Sequence, residues 1–319
     1  MFKSSSAKAN QSSSDNNDLI LLRPGLFYNK SKDSYIFKSS YDESSGPISI
    51  GLQVTRQCNA KCIQCAASEA IKDLSTKDLL TVIEKLHKGG AVRISVTGGE
   101  PLIRDDIEII LKKIHELGMV STLSTNGLLL DEKKLEEIRP FLNNIRFSLH
   151  GLKQTNDYIF QKKGAFDTII KSIRISQQGG LETGIFFTAM KTNIDELFDL
   201  VELLEKEKVK KLVIYTLMSA GRAKKIFSKE FIHSSELEEQ MQQINDLKKR
   251  NNWNIDVTLV NWRKKGQCLL VDPQGNLFAY DYSFKNGEIF LGNLFRESLN
   301  DLWNEYPYKR NYLEYYCDH

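Results

Sequence analysis

Residues 48–65 read ISIGLQVTRQCNAKCIQC. From Ile48 to Thr55 apolar residues alternate with polar or small ones, the period of a strand with one face buried. Three cysteines follow directly, Cys58, Cys62 and Cys65, in a C-x3-C-x2-C run. Thiolates are soft ligands suited to iron–sulfur clusters and to zinc. Three on one tight loop can hold three corners of a [4Fe–4S] cube and leave the fourth iron free to bind a ligand. Zinc with a fourth donor from elsewhere is the competing reading, and incidental cysteines are a third. Zinc sites usually come as paired C-x2-C units, and the sequence has no second unit.

Downstream of this loop the pattern is regular. A helix is expected from Ser75 to His87, with Ser75 as N-cap and Gly89–Gly90 ending it. Strands are expected at Val92–Val96, Val120–Ser124, Ile145–Leu149, Gly184–Met190 and Leu212–Leu217. Helices are expected between them at Asp105–Leu117, Asp131–Ile138, Phe166–Gln177 and Ile194–Lys206. Six strands alternating with helices imply a parallel sheet with right-handed crossovers. Six units are too few for a closed eight-stranded barrel. The expected fold is α/β, a partial (β/α)6 TIM-like barrel, with a doubly wound open sheet as the alternative; either places its chemistry at the C-terminal ends of the strands.

The flanking regions read differently. Residues 1–17 are rich in Ser, Asn and Lys without an apolar run, as expected of a disordered leader. In an extension over residues 18–47, Leu19–Leu22 and Tyr35–Phe37 are expected to form a hairpin around the turn-rich Asn29–Ser34. The barrel is expected over 48–225. A small α+β unit over 226–319 would hold a helix at Ser234–Lys249 and strands at Ile255–Val260, Leu269–Val271 and Asn276–Tyr280. It would end with a helix that includes Leu299–Trp303. Pro273–Gln274–Gly275 reads as the turn between the last two strands.

The chain has 319 residues, 44 basic against 41 acidic, with 41% apolar side chains. A formal charge of +3 calls for neither nucleic acid nor a membrane surface, and no apolar run of about 18 residues is present to span a bilayer. Clustered cysteines without an export signal point to the reducing cytoplasm.

The second motif is Gly98–Gly99–Glu100–Pro101, closing the strand after the cysteine loop. Two glycines let the backbone approach a ligand closely. Ser124–Thr125–Asn126–Gly127 and Ser148–Leu149–His150–Gly151 end the next two strands on the same rim. Together the C-x3-C-x2-C loop, the GGEP segment and these strand ends resemble the radical S-adenosylmethionine (SAM) superfamily over about Ile48–Ala223. The resemblance implies a [4Fe–4S] cluster on Cys58, Cys62 and Cys65 and SAM as cofactor. Gly98, Gly99, Glu100 and Pro101 would serve the methionine ammonium, Ser124, Asn126 and Ser148 the ribose and carboxylate, and Tyr215–Leu217, with Leu217, the adenine. Ser219–Ala220–Gly221–Arg222–Ala223 also resembles the family. The implied reaction is reductive cleavage of SAM and removal of a substrate hydrogen atom, with an electron donor such as flavodoxin or ferredoxin. No further catalytic side chain is assigned.

Two departures stand out. Many relatives carry an Arg-Gly pair before the Gly-Ala-Phe that opens a helix, where this chain has Gln161–Lys162–Lys163–Gly164–Ala165–Phe166; Lys162 or Lys163 would have to replace that arginine. His150 stands where relatives often carry Asp and reads as polar lining. In the last unit, Val271–Tyr280, Gly292–Asn293–Leu294 and Leu299–Trp303 resemble the SPASM or twitch domain of radical SAM maturases. Ala279–Tyr280 replaces the family's Pro-Cys, so the scaffold is expected without a complete auxiliary cluster. Cys268 would be an inert buried thiol or a hydrogen-atom donor, and Cys317 lies near the chain end. The expected substrate is a peptide, with the extension before Ile48 helping to dock a leader. A small-molecule dehydrogenase, mutase or epimerase is the alternative, and a non-catalytic metal-binding scaffold is the rival of another class.

Overall fold

A computed structural model describes residues 19–29, 33–38, 46–67, 71–260, 268–280 and 288–318. The expected leader over 1–17 lies outside the described residues. The ten-stranded main sheet begins with β4 (Ser49–Thr55) and continues through β5 (Arg93–Gly98), β6 (Val120–Thr125), β7 (Asn144–Ser148), β8 (Glu182–Ala189), β9 (Lys211–Thr216) and β10 (Asp256–Val260), all parallel and in sequence order. Helices α1 (Thr76–Lys88), α2 (Ile107–Glu116), α3 (Glu132–Ile138), α5 (Ala165–Gln178) and α6 (Leu197–Lys206) supply the crossovers. Ser75 caps α1 by accepting from the Asp78 N–H, and Asp131 caps α3 through the Lys134 N–H, contacts worth about 1 kcal/mol each. The partial barrel therefore stands, with β10 as a seventh parallel strand on its far edge.

Strand alternation sorts the two faces. Ile50, Leu52, Val54, Ile94, Val96, Phe147, Ile185, Phe187 and Leu212 point outward to the helices and are fully buried. The opposite face carries Gly51, Gln53, Ser95, Thr97, Thr122, Ser124 and Ser148, which line an internal cavity of about 690 Å³. A barrel whose inner positions were Val, Ile and Leu would be a packed core; short polar side chains leave this one hollow.

After α8 (Ser234–Asn251), the chain returns to the opposite edge. There β11 (Leu269–Val271) pairs parallel to β4 and leads into an antiparallel meander with β12 (Asn276–Tyr280) and β13 (Glu288–Asn293). Strands from 226–319 thus extend the barrel sheet at both edges. Helix α9 (Leu299–Glu305) and helix α10 (Lys309–Asp318) follow, and Tyr312 of α10 bonds both the N–H and the carbonyl of Ser49 at the start of β4.

The N-terminal extension differs from the expected hairpin. It is a three-stranded meander, β1 (Leu19–Arg23), β2 (Leu26–Asn29) and β3 (Ser34–Phe37), in which β2 separates the two expected strands. The reason is local: Pro24–Gly25, with Gly25 at φ +76°, turns the chain straight into Leu26–Asn29. Helix α4 (Lys153–Phe160) was also not foreseen; it follows His150 and buries Asn156 together with Ile159 and Phe160, so its inner face lacks a clean apolar period.

Candidate active site

The cysteine loop leaves β4 pinned from two sides. Asp73 accepts from Thr55 Oγ1 (2.7 Å), the Arg56 N–H (3.1 Å) and Gln57 Nε2 (3.3 Å). From the other side the Gly99 N–H donates to Thr55 O (2.7 Å) and the Glu100 N–H to Gln57 O (2.8 Å). A Cβ on Gly99 would lie 2.0 Å from Gln57 O and 2.8 Å from Arg56 O. The glycine pair thus admits the backbone of the cysteine loop itself, one residue before Cys58.

Cys58, Cys62 and Cys65 all line the cavity. The Cys65 N–H closes a turn on Cys62 O at 3.3 Å. Arg222, just beyond β9, donates through Nε to Cys62 O (2.8 Å) and through its N–H to Cys65 O (2.9 Å). Burial, then repulsion from the other two thiols, pushes the Cys62 thiol up to about 12; burial also raises Cys58. Among the described residues, no three His, Cys, Asp or Glu side chains gather closely enough to share a single metal ion. A zinc ion needs its donors around one point. A cubane takes one thiolate at each of several iron corners, and the three thiols of one loop on the cavity wall are donors that such a cluster takes.

The next strand ends converge on this loop. Glu100 is fully buried; its carboxylate accepts from the Asn126 N–H (2.7 Å), Thr125 Oγ1 (2.7 Å) and the Leu102 N–H (3.0 Å). Burial pushes its pKa up to about 7 against those three donors. Asn126 Nδ2 reaches Asn59 Oδ1 (2.7 Å) and Cys58 Sγ (3.7 Å). Gly98, Gly99, Ser124, Asn126 and Ser148 border the cavity with the three cysteines. Pro101 is buried in a 3-10 turn, and Leu217 packs on Ile159, Met190 and Ala223. Thr216 and Met218, flanking Leu217, face the cavity instead.

His150 lines the cavity, and its side chain holds the strand ends together. Its Nδ1 accepts from the Thr188 N–H (3.0 Å), and its carbonyl accepts from Asn193 Nδ2 (2.8 Å). Burial lowers its pKa to about 3, so the ring is neutral. Lys162 and Lys163 are exposed and do not line the cavity; the cations near the cysteine loop that do are Arg56, Lys61 and Arg222. Sequence reading missed Asp73 and the clamp role of Arg222. Cys268 lies against the cavity as a thiol that burial pushes up to about 12, and Cys317 falls on α10.

At the opposite end the N-terminal meander forms a floor. Asp33 accepts from Arg93 Nη1 (2.8 Å), Tyr28 OH (2.8 Å) and Asn144 Nδ2 (3.0 Å), and pairs with Arg146 Nη2. Arg93 also donates to Thr122 Oγ1 (3.0 Å from Nε). Gly184 leaves room for Arg146, since a Cβ there would sit 2.7 Å from its guanidinium. The two arginines hold the Asp33 carboxyl well below the usual range despite its burial.

Residues 52–204 match the family model of the Radical SAM superfamily. Its members use a [4Fe–4S] cluster with SAM. Among curated relatives, Fe-coproporphyrin III synthase from Methanosarcina barkeri is 35% identical over 184 residues, covering 56% of this chain and 46% of that protein. Sporulation killing factor maturation protein SkfB from Bacillus subtilis is 27% identical over 257 residues, covering 79% of this chain and 59% of that one. The chain spans about half the length of these curated relatives. Among solved structures, Streptococcus suis SuiB bound to precursor peptide SuiA shares the fold at TM-score 0.71 with 18% identity, covering 83% of this chain and 66% of that one. Among the described residues no helix is long and apolar enough to cross a membrane.

Proposed function

We propose that this chain cleaves SAM reductively and removes a hydrogen atom from a peptide substrate, acting as a peptide maturase. The observation that carries the reading is the rim: three thiols, the Gly99 turn and Asn126 meet over the mouth of a hollow barrel. When bound, a [4Fe–4S] cluster would supply the electron for reductive cleavage of SAM, and with it the hydrogen-abstracting chemistry. Cys58, Cys62 and Cys65 would hold the cluster. The backbone at Gly98–Gly99 and the side chains of Ser124, Asn126 and Ser148 would line SAM, and Glu100 would orient Asn126 from below. Arg222 and Asp73 fix the loop so that little reorganisation remains when the cofactors bind. The hollow interior keeps the reacting groups away from bulk water. A flavodoxin or ferredoxin would supply the electron, in the cytoplasm.

A peptide is favoured over a porphyrin or another small metabolite by the extent of the likeness. The match to the sporulation killing factor maturase runs over 79% of this chain, against 56% for the coproporphyrin synthase and 70% for an AdoMet-dependent heme synthase. Residues 226–319 would then form a twitch-like unit, with Ala279–Tyr280 in place of the Pro-Cys that carries the ligand cysteine and no complete second cluster.

The test is anaerobic reconstitution followed by SAM and a reductant. Wild type should release 5′-deoxyadenosine, and the Cys58→Ala, Cys62→Ala and Cys65→Ala variants should release none. Co-expression with short peptides encoded beside the gene should give a mass change in one of them. Deoxyadenosine release from the triple-Ala variant would refute the chemistry. A mass change in a porphyrin and in no peptide would refute the substrate class.

A further inference from the structure

Between floor and rim each strand from β4 to β8 places a polar side chain on the barrel wall, and Phe186 of β8 lines it as well. Gln53 lies at its centre. It is 6% exposed and lines the cavity from β4, in register with Thr97 of β5. Its amide oxygen is buried and has no protein hydrogen-bond partner. A buried acceptor without a partner costs about 1–3 kcal/mol, so water or a ligand group entering the cavity would complete it. Ser95, Ser124, Ser148 and Thr188 also line the cavity. Ser95 and Ser124 are 3.4 Å apart, near enough to share one partner.

Position fixes what this surface can meet. Arg93 opens β5 at the floor, and Thr97 lies four residues along it, about 13 Å higher at the rise of a strand. The cysteine loop begins beyond the end of β4, at Cys58. Gln53 therefore lies between the salt-bridged floor and the cofactor rim, deep enough for a substrate side chain entering from above. Around this level the wall carries hydroxyls and an amide, and Arg146, in register with Ser124, has its guanidinium already paired with Asp33. A full charge brought there would lose its hydration without a counter-ion, and an apolar group would leave the amide oxygen unpaired.

We propose that Gln53 is the specificity-determining residue of a mid-barrel chamber that receives a neutral hydrogen-bond donor of the substrate, a primary amide or a hydroxyl. The amide oxygen accepts the N–H or O–H, and the serine and threonine hydroxyls take the group's remaining capacity. For a peptide this selects a residue of the Asn, Gln, Ser or Thr class, a choice that rests on the peptide reading above; the preference for a neutral donor does not.

The test measures ligand binding to the reconstituted, SAM-loaded protein by saturation-transfer NMR. The probes are the N-acetyl amides of asparagine, serine, leucine and aspartate, together with butyramide as a donor without a peptide backbone. Gln53→Met keeps the volume and removes the acceptor, and an unchanged melting temperature and SAM affinity would confirm that it folds. Wild type should prefer the asparagine and serine probes over leucine and aspartate. Gln53→Met should bind the preferred probes about fivefold less tightly, the worth of one net hydrogen bond, and lose the preference. Equal binding of the leucine probe, equal affinities in wild type and Gln53→Met, or no binding of the amide and hydroxyl probes would each overturn the proposal. If butyramide shows the Gln53 dependence and the capped backbone adds nothing, the chamber stands and the peptide reading falls. If capped residues bind without regard to side chain or Gln53, the peptide reading stands and the chamber falls.

Discussion

Replacing Asp33 with Asn should destabilise the protein strongly although Asp33 lies at the far end of the barrel from the cysteines. The side chains of Asp33 and Arg146 are 5% and 3% exposed, and Arg93 is 12% exposed. One carboxylate serves both guanidiniums, with Glu182 at 4.0 Å as the only other acid paired to Arg146 among the described residues. Removing the charge leaves two buried cations short of a partner. Breaking a buried ion pair from one side costs about 3–5 kcal/mol, and Asn, which keeps some hydrogen bonds, should fall near the lower figure. At about 2–4 °C per kcal/mol for a domain of this size, the melting temperature should drop on the order of 10 °C. The assay is thermal and urea denaturation of reconstituted wild type, Asp33→Asn, Arg146→Met and the double variant. The double variant should recover part of the loss, because it removes the stranded charge along with its partner. The loss should also persist in high salt, since buried pairs are poorly screened. A drop below about 2 °C, or strictly additive single losses, would show that the floor network is not coupled and that the meander is not a structural plug.

Three further outcomes follow from the site. Gly99→Ala should lower iron incorporation as well as SAM affinity, because its Cβ would meet Gln57 O before Cys58; full iron content with weakened SAM binding alone would place the clash elsewhere. Arg222→Ala should leave the fold intact and reduce the iron retained after gel filtration to below about four per chain, since the Cys62 and Cys65 turn loses its side-chain clamp; unchanged iron would show that the backbone contact suffices. His150 has a folded pKa lowered to about 3, so between that value and about 6.5 the unfolded chain binds the extra proton and stability falls as pH falls. His150→Gln should flatten this slope below pH 6.5, visible in urea midpoints between about pH 5.5 and 8, and identical slopes would mean the ring titrates normally in the fold.

The sequence showed best what is written locally. Ser75 and Asp131 announce their helices by capping, and the Pro273–Gly275 turn fixes β11 and β12 at the observed bounds. The cysteine loop and the glycine pair are equally local, since their chemistry needs several residues of one kind close together in the chain. What stayed hidden depends on partners far apart in sequence. Asp33, Arg93 and Arg146 each look like a solvated charge until the fold brings them together. Asp73 and Arg222 are single polar residues whose roles exist only relative to the loop they hold. Gln53 was visible only as the polar half of an alternating strand. That the inward face encloses a cavity depends on the register of six strands at once.

The two faces of the barrel strands divide stability from selectivity. The outward face, with Ile50, Leu52 and Val54 on β4 and Ile94 and Val96 on β5, is fully buried against helices and carries the hydrophobic term. The inward face of Gln53, Ser95 and Thr97 adds little apolar burial, so substituting these three disturbs few contacts that the fold needs. A hollow barrel open at both ends would admit water to its floor, and there the chain spends its buried charges: Asp33 on the meander ties Arg93 and Arg146 across β5 and β7. Changes at Gln53 should therefore alter which substrate group is held while leaving the melting temperature near wild type, and changes at Asp33 should do the reverse. The same separation explains why the extension before β4 is joined to the barrel through a buried ionic network: it closes the end of the chamber opposite the cysteine loop.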